Sequence, residues 1–248
     1  MSESGNNRSA LVTGASRGIG AAIADRFAAD GWDLTISARG REALEKKAAE
    51  LLERGAGRVE VLPADMTDAE SIAALSATHA EAFGRLDALI INAGMGSKGA
   101  IADFPVKRLD RLYEVNVRAP FILLQASLPA LRATAETHGT AKVIAVSSIT
   151  GVYPEPEYVA YGSTKAALVS MCETFNLEES ENGVSATTIA PGYVNTDMTD
   201  WLKDSLPADE MITAGDIAVI AHSITQLSRY AVLPNVVITR PGENLHRA

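Results

Sequence analysis

The sequence predicts a single α/β domain built on a doubly wound, parallel sheet of about seven strands, with helices on both faces. Three observations lead to this fold class. Short apolar runs alternate with segments of helical periodicity, which is the pattern of a parallel sheet covered on both faces. A glycine-rich loop joins the first apolar run to the first helical segment. The length of 248 residues suits one large domain with a sizeable core.

Apolar, β-branched runs place the strands, and apolar positions three or four residues apart place the helices. The predicted strands are residues 9–13, 33–38, 58–63, 86–91, 142–146, 184–189 and 235–239. The predicted helices begin near Ile19 and then cover residues 41–54, 68–83, 105–134, 158–181 and 214–227. Residues 1–8 are polar and are predicted to form a flexible tail, so the predicted domain covers residues 9–248.

One connection is unusually long. Residues 195–213 are polar but contain Met198, Trp201 and Leu202, and ordinary connections between a strand and a helix are much shorter. We predict that this segment is a lid, mobile without ligand, that closes over an apolar part of a substrate.

Composition excludes several classes of protein. The net charge of −9 at pH 7 gives no indication of a nucleic-acid-binding surface. No apolar run approaches the ~18 residues of a membrane span, and the first ten residues lack the apolar stretch of a signal peptide. Cys172 is the only cysteine, so we expect a packed thiol, no disulfide and a reducing, cytoplasmic compartment. The histidines, His79, His138, His222 and His246, have no ligand spacing, and the sequence predicts no metal site.

The glycine loop, residues 13–20, has the sequence TGASRGIG between a predicted strand and a predicted helix. Glycines let a backbone approach a pyrophosphate, and a helix N-terminus offers it free N–H groups and a positive dipole end. The spacing is G-x-x-x-G-x-G, which differs from the commoner G-x-G-x-x-G. The alternative is a glycine-rich turn without a ligand. The loop therefore predicts a Rossmann-like dinucleotide site, with contacts from Gly14, Ser16, Arg17, Gly18, Ile19 and Gly20.

The end of the second predicted strand indicates which dinucleotide is bound. An acidic residue there would bind the ribose 2′-OH of NAD, whereas this chain has Ser37-Ala38-Arg39. A guanidinium binds a 2′-phosphate with a forked contact. Arg39, with Arg17 as a second cation, therefore predicts NADP(H) as the cofactor. The alternative is that both arginines are merely solvated.

Tyr161 and Lys165 are four residues apart in a predicted helix, so their side chains leave the same face. An ammonium near a phenol favours the phenolate, and we expect the pKa of Tyr161 to fall below its usual value of about 10. A tyrosine tuned in this way exchanges protons near neutral pH. Ser148 follows the predicted fifth strand and could bind the same substrate oxygen. By itself the Tyr-x-x-x-Lys pattern also fits a solvated helix face.

Taken together, these motifs resemble the short-chain dehydrogenase/reductase family over roughly residues 9–240. They stand in family order: the loop at residues 13–20, Asp65, Asn92-Ala93-Gly94, Asn116, Ser148, Tyr161 with Lys165, and Pro191-Gly192 followed by Val194 and Thr196. Each motif alone is weak, but together at this spacing they are specific.

The resemblance assigns roles. Asn116, Ser148, Tyr161 and Lys165 would form a catalytic tetrad, with Tyr161 as general acid/base and Asn116 positioning a water that links Lys165 to solvent. Lys165 would also hold the nicotinamide ribose. The other implied cofactor contacts are Asp65 and Met66 at the adenine, Asn92, Ala93 and Gly94 in the cleft, and Pro191, Gly192, Val194 and Thr196 near the nicotinamide.

Two departures from the family pattern stand out. Ile91 replaces an asparagine that many members have before Asn92, and we expect it only to pack. Many members end in a strand followed by Asp-Gly-Gly, whereas residues 236–248 are VVITRPGENLHRA, which puts expectations about a C-terminal subunit contact in doubt. Members commonly pair through their long helices, and the apolar positions Leu168, Met171 and Phe175 lead us to expect a homodimer or homotetramer. A buried core face is the competing account of those positions.

The leading interpretation is an NADP(H)-dependent enzyme that passes hydride between the nicotinamide and a small-molecule carbonyl or alcohol. A non-catalytic dinucleotide-binding sensor or scaffold is one alternative, and an epimerase or dehydratase on the same scaffold is another. The substrate itself stays open. Five side chains are candidates for its pocket: Tyr153, Glu155, Glu157, Tyr193 and Trp201.

Overall fold

The strand that follows the N-terminal segment, β1 (Ser9–Thr13), lies near the middle of a seven-stranded parallel sheet. The computed structural model describes residues 7–242. The remaining strands are β2 (Asp33–Ser37), β3 (Val59–Val61), β4 (Ala88–Ile91), β5 (Ala141–Val146), β6 (Val184–Pro191) and β7 (Asn235–Ile238). The strand order is β3-β2-β1-β4-β5-β6-β7, so the predicted fold class is confirmed.

Within residues 7–242, seven α-helices connect or flank these strands. They are α1 (Gly18–Ala29), α2 (Arg41–Arg54), α3 (Ala69–Phe83), α4 (Val106–Tyr113), α5 (Ala119–His138), α6 (Val159–Glu179) and α7 (Ala214–Ile224). The single helix that the sequence predicts over residues 105–134 is instead α4 and α5 joined by a π-helical turn, Glu114–Arg118. A π turn inserts one residue but keeps the chain helical, so apolar positions three or four residues apart continue on both sides of it and do not reveal the break.

The sheet separates two hydrophobic layers. In β1, Ala10 and Val12 face the layer covered by α1, α2 and α7, and Leu11 faces the layer covered by α3, α5 and α6. This alternation is the two-residue period of a strand, and because both faces are covered the three central residues of β1 are all apolar.

The strand order places the site. The chain builds outward from β1 to β3, and then returns to the other side of β1 to continue with β4. At such a switch point the loops after the two central strands diverge and leave a crevice at the carboxyl end of the sheet. The loop after β1 begins at Gly14 and the loop after β4 begins at Asn92, so both sequence motifs open into this crevice.

The predicted N-terminal tail falls mostly outside the described residues, since residues 1–6 are not among them. Arg8, which the sequence assigns to that tail, is held in place. Its guanidinium donates to the Thr225 carbonyl at 2.6 Å and lies 4.2 Å from the centroid of the Trp32 ring. The final residues of the atypical C-terminus, 243–248, also lie outside the described part of the chain.

Candidate active site

The first turn of the glycine loop is braced by Asn92. Gly14 has φ +66°, and a Cβ there would lie 2.6 Å from Asn92 Nδ2. That nitrogen donates to the carbonyls of Thr13 at 3.1 Å and Gly14 at 3.2 Å. A Cβ on Gly20 would lie 2.3 Å from the Gly14 carbonyl oxygen, so both positions require glycine. The motif after β4 therefore fixes the backbone of the motif after β1.

Helix α1 starts in this loop with its N-terminus open. No side chain caps it, and its first turn contains no acidic residue. Free N–H groups at the start of a twelve-residue helix form a site for a phosphate group. The residue before the helix, Arg17, donates to Asp197 at 2.8 Å, and both side chains are largely exposed. Arg17 thus links the glycine loop to the predicted lid.

Ser148 and helix α6 are brought together by two glycines. Ser148 follows β5 and caps a 3₁₀ turn, Ile149–Gly151, with its hydroxyl accepting from the Thr150 backbone N–H at 3.2 Å and the Thr150 hydroxyl at 3.0 Å. A Cβ on Gly151 would lie 2.7 Å from the backbone of Lys165, and one on Gly162 would lie 2.8 Å from the Thr150 carbonyl oxygen. Only glycine lets the turn and the helix approach this closely.

Tyr161 and Lys165 occupy successive turns of α6, and the Lys165 ammonium lies 5.7 Å from the centroid of the Tyr161 ring. The ammonium is buried and donates to the Val146 carbonyl at 2.8 Å. Burial lowers the pKa of Lys165 to about 8. Burial also raises the pKa of Tyr161 to about 12, while the neighbouring Ser148 hydroxyl acts in the opposite direction.

The direction of the Tyr161 shift corrects the sequence-based expectation of a lowered pKa. Spacing along a helix shows that Lys165 is near, but it does not show how deeply the pair is buried. Removing the phenolate from water outweighs the hydrogen bond that favours it. In this structure the phenol therefore stays protonated throughout the neutral range.

Asn116 lies in the π-helical turn between α4 and α5 and is buried. Its Oδ1 accepts from the Met95 backbone N–H at 2.9 Å. Its Nδ2 donates to the Met95 carbonyl at 2.9 Å and to the Thr164 hydroxyl at 3.0 Å. Both amide hydrogens are thus committed, and the side chain joins the loop after β4 to helix α6. The water link to Lys165 stays a prediction.

These elements surround a cleft of about 430 Å³, within the range of small-molecule sites. Of the predicted residues, it is lined by Ile19, Asn92, Gly94, Ser148, Tyr161, Lys165, Pro191, Gly192, Val194 and Thr196. The glycine loop, the proposed proton donor and the residues after β6 therefore meet in one cavity. This cavity can hold a nicotinamide beside a small second molecule.

Comparison with known proteins agrees with this geometry. A profile of the short chain dehydrogenase family matches residues 8–206. The chain belongs to the short-chain dehydrogenase/reductase family. It is 31% identical over 233 residues to an uncharacterized oxidoreductase of Staphylococcus epidermidis, covering 94% of this chain and 96% of that protein.

Solved structures of similar proteins extend the agreement to the fold. An alcohol dehydrogenase of Thermococcus sibiricus, complexed with 5-hydroxy-NADP, has a TM-score of 0.86 at 28% identity, covering 96% of this chain and all of that one. The RhlG/NADP active-site complex of Pseudomonas aeruginosa also has a TM-score of 0.86, at 30% identity and 98% coverage of both chains. This member of the short-chain dehydrogenase/reductase family is accordingly an oxidoreductase.

Some residues predicted to bind the cofactor do not line the cleft; these are Gly14, Ser16, Arg17, Gly18, Gly20, Arg39, Asp65, Met66 and Ala93. Asn116, predicted as a catalytic residue, does not line it either. Asp65 accepts from Thr67 N–H and hydroxyl at 2.9 and 2.8 Å, and these bonds, helped by Arg111 and Arg39, lower the pKa of Asp65. Arg39 is exposed and forms no salt bridge within residues 7–242. Its guanidinium is therefore available to a phosphate.

The cleft in this short-chain dehydrogenase/reductase is also lined by residues that the sequence did not indicate. Among them are Ser97, Lys98, Arg108 and Tyr158. Of the predicted pocket candidates, Tyr193 and Trp201 line the cleft, whereas Tyr153, Glu155 and Glu157 do not. Ser97 and Lys98 lie in residues 92–105, which have neither helical nor strand periodicity, so the signal available for them was their position directly after β4.

Three further features concern metal binding, membrane crossing and the cysteine. Within residues 7–242, no three His, Cys, Asp or Glu side chains cluster in a way that could hold a metal ion. No helix of that part of the chain is both long and apolar enough to cross a membrane. Cys172 is fully buried in α6, and burial raises the pKa of its thiol to about 12.

Proposed function

We propose that this protein is an NADP(H)-dependent oxidoreductase that transfers a hydride between the nicotinamide and a carbonyl or secondary alcohol, with Tyr161 as general acid/base. The observation that carries the proposal is the convergence of Ser148, Tyr161 and Lys165 on the cleft that Ile19, Gly192 and Thr196 also line. Complexes of similar proteins with NADP or its derivative support the choice of cofactor.

The residues present fit such a cofactor. The uncapped N-terminus of α1 suits a pyrophosphate, and the backbone of the glycine loop is free of side chains where Gly14 and Gly20 approach Asn92. Arg39 would bind the 2′-phosphate, with Arg17 as a second cation if its contact with Asp197 is released. Lys165 would hold the ribose of the nicotinamide half.

When bound, the nicotinamide supplies or accepts the hydride. In reduction, Tyr161 donates its phenolic proton to the carbonyl oxygen as charge develops there. A raised pKa keeps this phenol protonated at neutral pH, which suits a proton donor. The Ser148 hydroxyl already accepts hydrogen bonds from Thr150, so its own hydrogen can be donated to the same substrate oxygen. Lys165, positive below about pH 8, stabilises the tyrosinate that remains.

The experiment that tests this proposal measures NADPH oxidation on a panel of carbonyl compounds, with the unmutated protein and Tyr161→Phe. We expect Tyr161→Phe to lower turnover by about 10²–10⁴-fold, with little change in NADPH affinity. Tyr230→Phe is the matched control, because Tyr230 is 91% exposed and its loss should change neither quantity. A Tyr161→Phe variant that keeps most of its turnover would show that another group moves the proton.

We also propose that residues 195–213 form a lid. Val194 pairs with Ile212 in an isolated parallel bridge, and the Asn195 N–H donates to the Ile212 carbonyl at 2.9 Å. Between these fixed ends, Met198 and Trp201 line the cleft while remaining about half exposed. Closure over a substrate would bury these two side chains.

A homo-oligomer remains part of the proposal, but on different residues. Leu168 and Phe175 are buried in the core with Met171 packed against them, so these positions do not form an exposed face. Among the exposed apolar side chains of these helices are Tyr113 on α4, Phe121 on α5 and Val159 in the first turn of α6. We propose that these side chains pack against a partner subunit.

A further inference from the structure

The charged side chains that line the cleft all have the same sign. They are Lys98, Arg108 and Lys165, and no aspartate or glutamate of residues 7–242 lines it. The chain as a whole carries a net charge of −9, so the cleft departs from the character of the surrounding protein. A cationic cleft in an acidic protein attracts anionic ligands.

Lys165 lies beside Tyr161 and belongs to the proposed catalytic residues, whereas Lys98 and Arg108 do not. Lys98 and Arg108 also line an adjoining hollow, together with Gly99, Ala100, Asp103, Phe104 and Pro105. Arg108 is exposed, and its guanidinium forms no hydrogen bond or ion pair within residues 7–242. It is therefore available to a ligand that extends from the cleft toward this hollow.

Lys98 is already positioned. Its ammonium lies 3.0 Å from a Glu157 carboxylate oxygen and 5.4 Å from the centroid of the Trp201 ring. The Gly99 N–H donates to the Glu157 carbonyl at 2.8 Å, so Glu157 holds Lys98 in place through both its carboxylate and its backbone. Both side chains of this ion pair are about half exposed to solvent. A ligand oxyanion can therefore bind the Lys98 ammonium from the solvent side while Glu157 stays in contact with it and remains solvated.

Ser97 adds an independent sign of a ligand. Its side chain is 8% exposed and lines the cleft, yet its hydroxyl has no hydrogen-bond partner within the described residues. Buried polar groups in native proteins nearly always have a partner. A polar group of a bound molecule would supply the one that this hydroxyl lacks.

Part of the wall of the cleft is aromatic. The Tyr158 and Tyr193 hydroxyls are 3.1 Å apart, and the Tyr193 and Trp201 rings meet edge to face with centroids 6.4 Å apart. Because the two phenols bond each other, they present mainly ring surface to the cleft. Such a wall favours a flat, apolar body.

We propose that the substrate is a carbonyl or alcohol compound with a flat, apolar body and an oxyanion group, a carboxylate or phosphate, that is bound by Lys98 and Arg108. This inference rests on the proposed function for the reacting carbonyl. The preference for an anionic ligand depends on the residues that line the cleft, and it can be measured by binding without any turnover.

The test compares the binding of matched ketones to the protein with NADP⁺ by calorimetry. The probes are 4-acetylbenzoate, its neutral methyl ester and 4-acetylphenyl phosphate, so the two acids distinguish carboxylate from phosphate. We expect the better acid to bind about tenfold more tightly than the ester. That preference should weaken with added salt. Arg108→Gln and Lys98→Gln should each reduce it, and the double variant should abolish it.

Lys107→Gln is the matched control, because Lys107 is an exposed cation on the same helix that does not line the cleft. It should leave the preference unchanged. Equal binding of acid and ester, binding of neither, or a preference that survives in the double variant would overturn the inference. A clear preference without NADPH oxidation on any carbonyl would instead defeat the proposed function alone. NADPH oxidation with no preference for acids over the ester would defeat the inference about the substrate and leave the proposed function intact.

Discussion

Lys165 is a charged side chain in a buried position, and this has a cost for stability. Burial lowers its pKa to about 8 from an ordinary value of 10.5. Between these two values the unfolded chain binds more protons than the folded protein does. The free energy of unfolding attributable to Lys165 therefore rises with pH from about 8 to 10.5, and the full cost is present below pH 8.

Lys165→Met removes this charge and keeps a long side chain. We expect the free energy of unfolding at pH 7 to increase by about 1–3 kcal/mol while turnover is lost, as a trade between stability and activity. The gain should shrink as pH rises through the window from about 8 to 10.5. Urea denaturation at pH 7 and at pH 10 measures the gain in the free energy of unfolding and its decrease with pH. A loss of stability at pH 7 would show that the hydrogen bond to Val146 matters more than the buried charge.

Arg39 carries the expected preference for NADP(H), since Arg17 is engaged by Asp197 in this structure. Arg39→Asp should weaken NADPH binding by about tenfold or more and reduce the difference between NADPH and NADH, because it replaces an attraction by a repulsion. Cofactor titrations by nicotinamide fluorescence measure this change. Lys46→Asp makes the same charge change at an exposed position of α2 and should have little effect. Equal efficiency with NADH and NADPH in the unmutated protein would contradict the preference.

At the scale of elements, the site depends on how closely the Ile149–Gly151 turn approaches α6. Gly151→Ala should displace the turn, because its Cβ would lie within 3 Å of Lys165 backbone atoms. We expect turnover to fall about tenfold to 100-fold through misplacement of Ser148, with a smaller effect on NADPH binding. Turnover and cofactor affinity, measured in parallel, separate these effects.

Gly215→Ala is the control for this prediction. Gly215 lies in the first turn of α7, where a Cβ would make an ordinary 3.5 Å contact with Thr213. The activity of the Gly215→Ala variant should match that of the unmutated protein. If Gly151→Ala also retained full turnover, the close approach would not be what positions Ser148.

The elements that the sequence predicted correctly are those with a strong local signal. The strands stand out because the central residues of parallel strands are mostly apolar, and the loop at residues 13–20 because it requires glycine between β1 and α1. The break between α4 and α5 was missed, since the chain stays helical through the π turn. Ser97, Lys98 and Arg108 were missed because their place in the cleft depends on how the loop after β4 folds back.

At the scale of the whole molecule, Phe121 is 55% exposed on α5, and Tyr113 on α4 and Val159 on α6 are also exposed. Phe121→Glu should place a charge in the proposed subunit contact and shift the protein toward monomer. Light scattering at micromolar concentration measures the change. Val219→Glu is the control, because Val219 is similarly exposed but lies on α7, at the opposite face of the sheet. A monomeric unmutated protein would contradict the proposed assembly.

The pairing of Val194 with Ile212 holds the two ends of the loop at residues 195–211 side by side at the edge of the cleft. The sheet therefore does not depend on how many residues lie between them. Doubling the length of a flexible loop costs only about 0.6 kcal/mol. Insertions and deletions here can reshape the roof over the reacting group while the strands, the glycine loop and Tyr161 stay in place. Such an arrangement lets one ancestral scaffold diverge into many descendants that act on different compounds.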